Sequence, residues 1–248
     1  MSPPPGKRAM PATQKHAHIV VAFDLCSSSQ IMEDLLLSEK FDRYETFLGC
    51  VKRWLMNWTR SHPSGNGGFE LYKFTGDGWI LLFPTATNGI ALIKTMYSLC
   101  EMIRAELARH ILPSLSSMPP VLGATLGIEE GNLIRMTMNG RDEYVGRALN
   151  IACRLQNAAK EKDPHPDCYK ALVSARLFNE RLTKSSTRYK VEPATCSLRN
   201  ILSGTGFVCR KIDFTTDSAG QAIPWPTPET AGWTCARSNW ESPPGGDS

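Results

Sequence analysis

The sequence lacks closely spaced cysteines. Cys26, Cys50, Cys100, Cys153, Cys168, Cys196, Cys209 and Cys235 stand far apart with no CxxC pair. Zinc chelation and dithiol redox chemistry both use close pairs, so the spacing predicts reduced thiols and a cytoplasmic setting. Long apolar runs are also missing. The longest, Ile19–Phe23 and Trp79–Phe83, reach about five residues, and a bilayer span needs ~20. The opening MSPPPGKRAMPATQKH has no apolar h-region, which excludes a secretory signal. Charge of one sign is scarce: 28 basic residues face 24 acidic ones, a net +4, which makes no case for nucleic acid as a partner. No internal repeat is visible. What is present is 248 residues, 42% of them hydrophobic and 21% charged, the balance of a soluble globule with a real core.

Residues 1–16 hold four prolines and hardly any bulky apolar side chain, and they read as a flexible leader. Residues 216–248 are rich in Pro, Gly, Ser and Thr and end in SPPGGDS, a tail expected to be partly disordered. Trp225, Trp233 and Trp240 predict that part of it packs on the body or on a partner. Residues 17–215 between them alternate strand and helix patterns. His18–Asp24 is an apolar, β-branched run of a buried strand. Ser27–Ser29 offer helix N-caps before an amphipathic stretch through FDRYETFLGCVKRWLMNW. Phe69–Phe74 and Trp79–Phe83 flank an Asp-Gly hairpin turn. Asn88–His110 is a long helix, Val121–Ile128 and Asn132–Met136 a strand pair joined by EEG, and Gly146–Lys160 a helix. Short strands follow near Ala171–Val173, Tyr189–Val191 and Phe207–Ile212. The order predicts an α+β fold: a mainly antiparallel sheet with helices packed on one face.

Three places carry candidate chemistry. Asp24 closes the first strand just before the turn Leu25-Cys26-Ser27-Ser28-Ser29, whose backbone N–H groups and helix N-terminus suit a phosphate. Asp77 stands at the tip of the hairpin. If the two strands are neighbours, both carboxylates emerge at one sheet edge, an oxygen-only donor set for Mg²⁺ or Mn²⁺ shared with substrate phosphate. Taken singly, each has a plain alternative: a turn former for Asp77, a helix cap for Asp24. On the helix after Tyr144, Ala148, Ile151, Ala152 and Leu155 form the core stripe, and Arg147, Asn150 and Arg154 a polar one. A solvated face explains such a stripe as well as a phosphate- and ribose-holding fork does.

In their order and near their spacing, FDLCSSS (Phe23–Ser29), KFTGDG (Lys73–Gly78) and EYVGRALNIACRL (Glu143–Leu155) resemble the motifs of the class III nucleotidyl cyclases. The resemblance spans about Ala17–Ile212 and implies that family's palm-like, ferredoxin-like fold. It implies that Asp24, Asp77 and the backbone carbonyl of Leu25 hold two divalent ions, Mn²⁺ or Mg²⁺. Asn150 would orient the ribose, Arg154 would stabilise charge on the α-phosphate, and Lys73 and Glu143 would face the base. In the family these groups come from two subunits, so the resemblance implies a homodimer with two composite sites acting on a nucleoside triphosphate. Ser27 and Ser29 replace the usual Gly and Thr, and Glu143 the commoner Asp. The usual Lys-Gly pair that meets the terminal phosphates has no counterpart in SLRNILSG, which leaves Arg199, Lys184 and Arg147 as candidates.

Lys73 only donates and ionised Glu143 only accepts, a combination compatible with every base. Guanine is disfavoured by the resemblance, since guanylate cyclases carry an acidic residue where Lys73 stands. A catalytic domain of this size with GDGW followed by ILLFP resembles the stand-alone bacterial pyrimidine cyclases of Pycsar anti-phage systems, whose product acts on a separate effector. Tyr44, beside Phe41 and Phe47, either fills space that a purine would need or is simply core. The expectation is a cyclase making cUMP ahead of cCMP. The alternatives are an adenylate cyclase, a non-catalytic nucleotide-sensing module and a structural scaffold. A diguanylate cyclase is excluded because TGDGW lacks the second acidic residue of its hairpin.

Overall fold

A run such as HIVVAFD, apolar at consecutive positions, belongs to a strand covered on both faces, and that is where it lies. The computed structural model describes residues 15–161, 167–201 and 206–224. Its strands are β1 (Lys15–Leu25), β2 (Glu70–Phe74), β3 (Gly78–Pro84), β4 (Leu122–Met138), β5 (Arg141–Val145), β6 (Asp167–Ser174), β7 (Tyr189–Ser197) and β8 (Gly206–Asp217). They form one sheet in the order β2-β3-β1-β4-β6-β8-β7, with β5 paired to β4. Every pairing is antiparallel except β4 with β6, so the sheet is mixed.

The helices lie on both faces, where the sequence reading placed them on one. Ile19, Val21 and Phe23 point into a core shared with α1 (Ser28–Leu37), α2 (Phe41–Ser61) and α3 (Gly89–Glu106). Val20 and Ala22 point the other way, into a second core under α4 (Arg147–Glu161). The crossover between parallel β4 and β6 runs through α4, and a parallel pair needs such a crossover. α4 comes very close to the sheet at Gly127, where any side chain would strike the Ala152 carbonyl of the helix. Asn88 caps α3, its side chain accepting from the Ala91 N–H at 2.8 Å.

Three further expectations are corrected. The amphipathic stretch after the first strand is two helices, broken at residues 38–40, with Glu39 at φ 58°. The EEG segment is no turn: β4 runs straight through it. Glu129 is buried and accepts from the Ser174 hydroxyl at 3.0 Å, and Glu130 takes a two-nitrogen grip from Arg181 at 2.7 and 2.8 Å. Partners distant in sequence satisfy the carboxylates, and the strand continues. The real turn is Asn139-Gly140, both at positive φ (52° and 73°), which folds β5 back onto β4.

β1 starts at Lys15 and β8 runs to Asp217, with Ile223 buried in the main core. Trp225, Trp233 and Trp240 lie outside the described residues. Cys26, Cys100, Cys153, Cys168, Cys196 and Cys209 are free thiols, but Cys50 is disulfide-bonded, against the all-thiol expectation. Among the described residues no helix is long and apolar enough to cross a membrane.

Candidate active site

β1 and β3 are paired so that Asp24 stands opposite Gly78. A side chain at Gly78 would run into the Phe23 carbonyl, so glycine here lets the β2–β3 turn close down on the end of β1. This places the Asp77 carboxyl beside that of Asp24, close enough for each to shift the other's pKa. The Ser28 hydroxyl donates to Asp77 Oδ2, and the Lys160 ammonium donates to Asp24 Oδ2. Asp24 Oδ1 is buried and meets no donor among the described residues.

The two carboxyls differ in character. Burial first, and the neighbouring Asp77 second, push Asp24 up to about 7 against the pull of Lys160. Burial also pushes Asp77 upward, but its hydrogen bonds with Asp24 and Ser28, helped by Lys160, outweigh burial and hold it below the usual carboxylate value.

Beside the pair lies the start of α1. Ser27 occupies the N-cap position in the left-handed region (φ 56°) and makes no side-chain cap bond, contrary to the expected serine caps. The Ser28 hydroxyl is spent on Asp77 instead. The first backbone bond of the helix runs from the Ile31 N–H to the Ser27 carbonyl. The N–H groups of residues 28–30 therefore have no partner within the helix, a site suited to an anion. Buried Leu25 follows Asp24 directly.

Lys73 and Glu143, 70 positions apart, meet at 3.1 Å. The Asn139-Gly140 turn supplies the placement by returning β5 along β4. Glu143 Oε2 also accepts from the Tyr72 hydroxyl at 2.6 Å, a residue that sequence reasoning passed over. These two donors, Tyr72 before Lys73, lower the Glu143 pKa and keep it an ionised acceptor. Tyr144 packs edge-on against Tyr72 with ring centres 5.1 Å apart and steadies the pair.

On α4, Ala148, Ile151, Ala152 and Leu155 are buried as expected, Arg147 and Asn150 are exposed and Arg154 is half-buried. Arg154 Nη1 is buried with no hydrogen-bond partner among the described residues. Tyr44 is core: it is 2% exposed, packed against Phe47, and on the opposite face of the sheet from Tyr72. Its hydroxyl has no partner among the described residues, and burial, then the charges of Asp77 and Asp24, raise its pKa. Lys184 follows Arg181, whose carbonyl lies against Gly89 beyond the far end of β3, so within one chain it is remote from Asp24. Arg199 follows the end of β7 that pairs with Gly206, also away from the Asp24 end.

Lys160 is the residue that the sequence concealed. It lies 136 positions from Asp24, and no local periodicity connects the two. The nearest hint is that Gln156, one turn earlier, is buried and donates to Thr125 Oγ1 at 2.9 Å, while Thr125 stands opposite Asp24 in the β1–β4 register.

Two adjacent carboxylates, an unpartnered buried oxygen and oxygen-only donors fit a hard divalent cation. Another group with ligand spacing, Cys50, Glu106 and His110, has its donor atoms within 4.8 Å of one another. There the sulfur is already in a disulfide, and Arg109 donates to Glu106 at 2.9 Å, so that knot is accounted for by its own partners.

No protein-family model matches the sequence, and no curated protein sequence matches it. Solved structures do. The guanylyl cyclase Cya2 is 15% identical, with a TM-score of 0.59, covering 87% of this chain and 98% of that one. The adenylyl cyclase CyaB from P. aeruginosa is 16% identical at a TM-score of 0.57, covering 81% and 95%. A bacterial light-regulated adenylyl cyclase is 16% identical at 0.57, and 88% of this chain covers 56% of it. At this identity the likeness establishes the fold: a mixed sheet with packed helices, matching that of the class III cyclases.

Proposed function

We propose that this chain is a metal-dependent nucleotidyl cyclase. The observation that carries the reading is the contact of Asp24 with Asp77 beside the uncapped start of α1, with one carboxylate oxygen buried and unpartnered. In the reaction the 3′-oxygen of a nucleoside triphosphate bonds to its own α-phosphorus. The bond from that phosphorus to the bridging oxygen breaks, pyrophosphate leaves, and the hydroxyl proton goes to solvent. Asp24, Asp77 and the Leu25 carbonyl would hold two divalent ions, which acidify the attacking hydroxyl and neutralise developing charge. The free amides at the start of α1 bind phosphate oxygens. Asn150 orients the ribose, and Arg154 offers its planar fork to the α-phosphate, where charge grows. Lys73 and Glu143 present one donor and one acceptor to the base.

Asp24 and Asp77 lie at the end of β1. Asn150 points away from the core, and Arg154 Nη1 has no partner among the described residues. That supports a homodimer in which α4 of one protomer completes the carboxylate site of the other, as the resemblance implies. We further infer a pyrimidine base, uridine ahead of cytidine, and a cyclic product sensed by a separate effector in anti-phage defence. The support is the resemblance carried by GDGW and ILLFP. Incubation with Mn²⁺ and each of ATP, GTP, UTP and CTP in turn is the test, and cUMP is the expected product. If cAMP alone forms, the base assignment falls. If no triphosphate yields a cyclic product, the cyclase reading falls and a nucleotide-sensing module takes its place.

A further inference from the structure

In a metal-binding carboxylate pair, an ammonium group already seated on one of the two acids is a competitor for the metal. Lys160 is that group. α4 is anchored to the sheet one turn earlier by the Gln156–Thr125 bond, and Thr125 stands opposite Asp24. The next turn therefore delivers the lysine to Asp24 Oδ2. The lysine side chain is 33% exposed and the Asp24 side chain 16%. The acid is thus held in place, while the ammonium ends a flexible four-carbon stem within reach of water. Among the described residues, Lys160 makes the one ion pair found with either aspartate.

We propose that Lys160 is a resident counter-ion of the Asp24–Asp77 pair that a divalent metal must displace, so that metal loads well only together with a triphosphate. The inference rests on the cyclase reading above and adds an order of assembly to it. Without nucleotide, the metal must break a partly desolvated ion pair and leave the ammonium with water alone. With nucleotide, the displaced ammonium meets the phosphate oxygens gathered at the start of α1. Metal and triphosphate then favour each other's binding by the same factor, as linkage requires. The arrangement also keeps a buried pair of acids from standing uncompensated in the resting protein.

The test is titration of the full chain with Mn²⁺ alone, read from the electron paramagnetic resonance signal of the free ion. In Lys160→Met and Lys160→Gln, Mn²⁺ should bind about tenfold more tightly than in the wild type, the effect of removing one charge in contact with a partly buried acid. Lys160→Arg, which retains the charge, should stay within about twofold of the wild type. With saturating tripolyphosphate and buffered free Mn²⁺, the advantage of the neutral variants should vanish. Unchanged or weaker Mn²⁺ binding in both neutral variants overturns the proposal, as does an arginine variant that behaves like the methionine one. So does Mn²⁺ binding that survives Asp24→Asn, because the ion would then sit elsewhere. Cyclic product from the wild type together with unchanged Mn²⁺ affinity in Lys160→Gln would sink this inference alone. Absence of product from all four triphosphates would sink the cyclase reading instead.

Discussion

The Asp24–Asp77 end of the molecule and the outer face of α4 are built on opposite terms. Asp24 is fixed by a central strand and a lysine, and Asp77 by a glycine-permitted close approach and a serine, all from one chain. Asn150 and Arg154 have a well-placed helix behind them and no partner in front among the described residues. The first region already has its polar groups in tension inside one chain, while the second has donors waiting for an acceptor. Buried polar groups normally find partners. Under the two-protomer reading proposed above, the contrast is the expected one: each protomer carries one half of a divided site.

The largest effect that would test this contrast is at the carboxylates. Asp77→Asn should cut cyclic-nucleotide formation by about 10³-fold or more, the scale of losing a group that positions a catalytic ion. Circular dichroism should show the fold retained. Arg154→Ala should cost about 10²–10³-fold, mostly in kcat, as expected of a group acting on charge present only in the transition state. Mixing the two inactive variants is the sharper experiment. Random exchange makes half of the dimers mixed, each with one intact site, so about a quarter of wild-type activity should return. No recovery after verified subunit exchange would break the two-chain picture.

The base-facing pair should respond more mildly. Lys73→Ala or Glu143→Gln should lower kcat/KM for the preferred triphosphate by about 10–100-fold and narrow its lead over the other three. Uniform loss across all four bases would remove the pair from base selection. A further prediction concerns pH. Asp24 is raised from the ordinary carboxylate range to about 7. Between those values the folded chain therefore holds a proton that the unfolded chain has released. Its contribution to stability is full below about pH 4 and is lost as the pH rises through 7. The Tm of the metal-free protein should fall across that window, and Asp24→Asn should flatten the slope. The smallest effect is expected at Ser27, whose left-handed backbone costs a non-glycine residue ~1 kcal/mol. Ser27→Gly should raise stability by about that amount, with turnover within about twofold of wild type.

Much of this was legible beforehand, and the reasons are specific. β1 announced itself because a strand buried on both faces has to be apolar at every position. The hairpin at Gly76-Asp77-Gly78 and the core stripe of α4 followed from turn chemistry and the helical period. The continuous β4 was hidden because Glu129 and Glu130 imitate a solvated turn, and only Ser174, Arg176 and Arg181, more than forty positions away, satisfy them. β5 was missed although Asn139-Gly140 is a strong hairpin signal, because its strand, RDEYV, carries three charges in five residues. Tyr44 is the reverse case. An aromatic at helical spacing fits a core and a pocket wall alike; the structure buries it against Phe47, with Asp77 and Asp24 near enough for their charges to act on its hydroxyl.

By itself the order of residues determined most of the strand and helix segments, the core stripe of α4, and which short motifs concentrate acids, amides and guanidinium groups. These are local properties, set by periodicities of two and 3.6 and by glycine where backbone must pass close. Only the tertiary structure decided that the sheet is covered on both sides, that Asp24 touches Asp77, that Tyr72 backs Glu143, and that Lys160 rests on Asp24. Each of those contacts joins residues tens of positions apart, and the energy of such a contact depends on burial and register, quantities that exist only once the chain has folded.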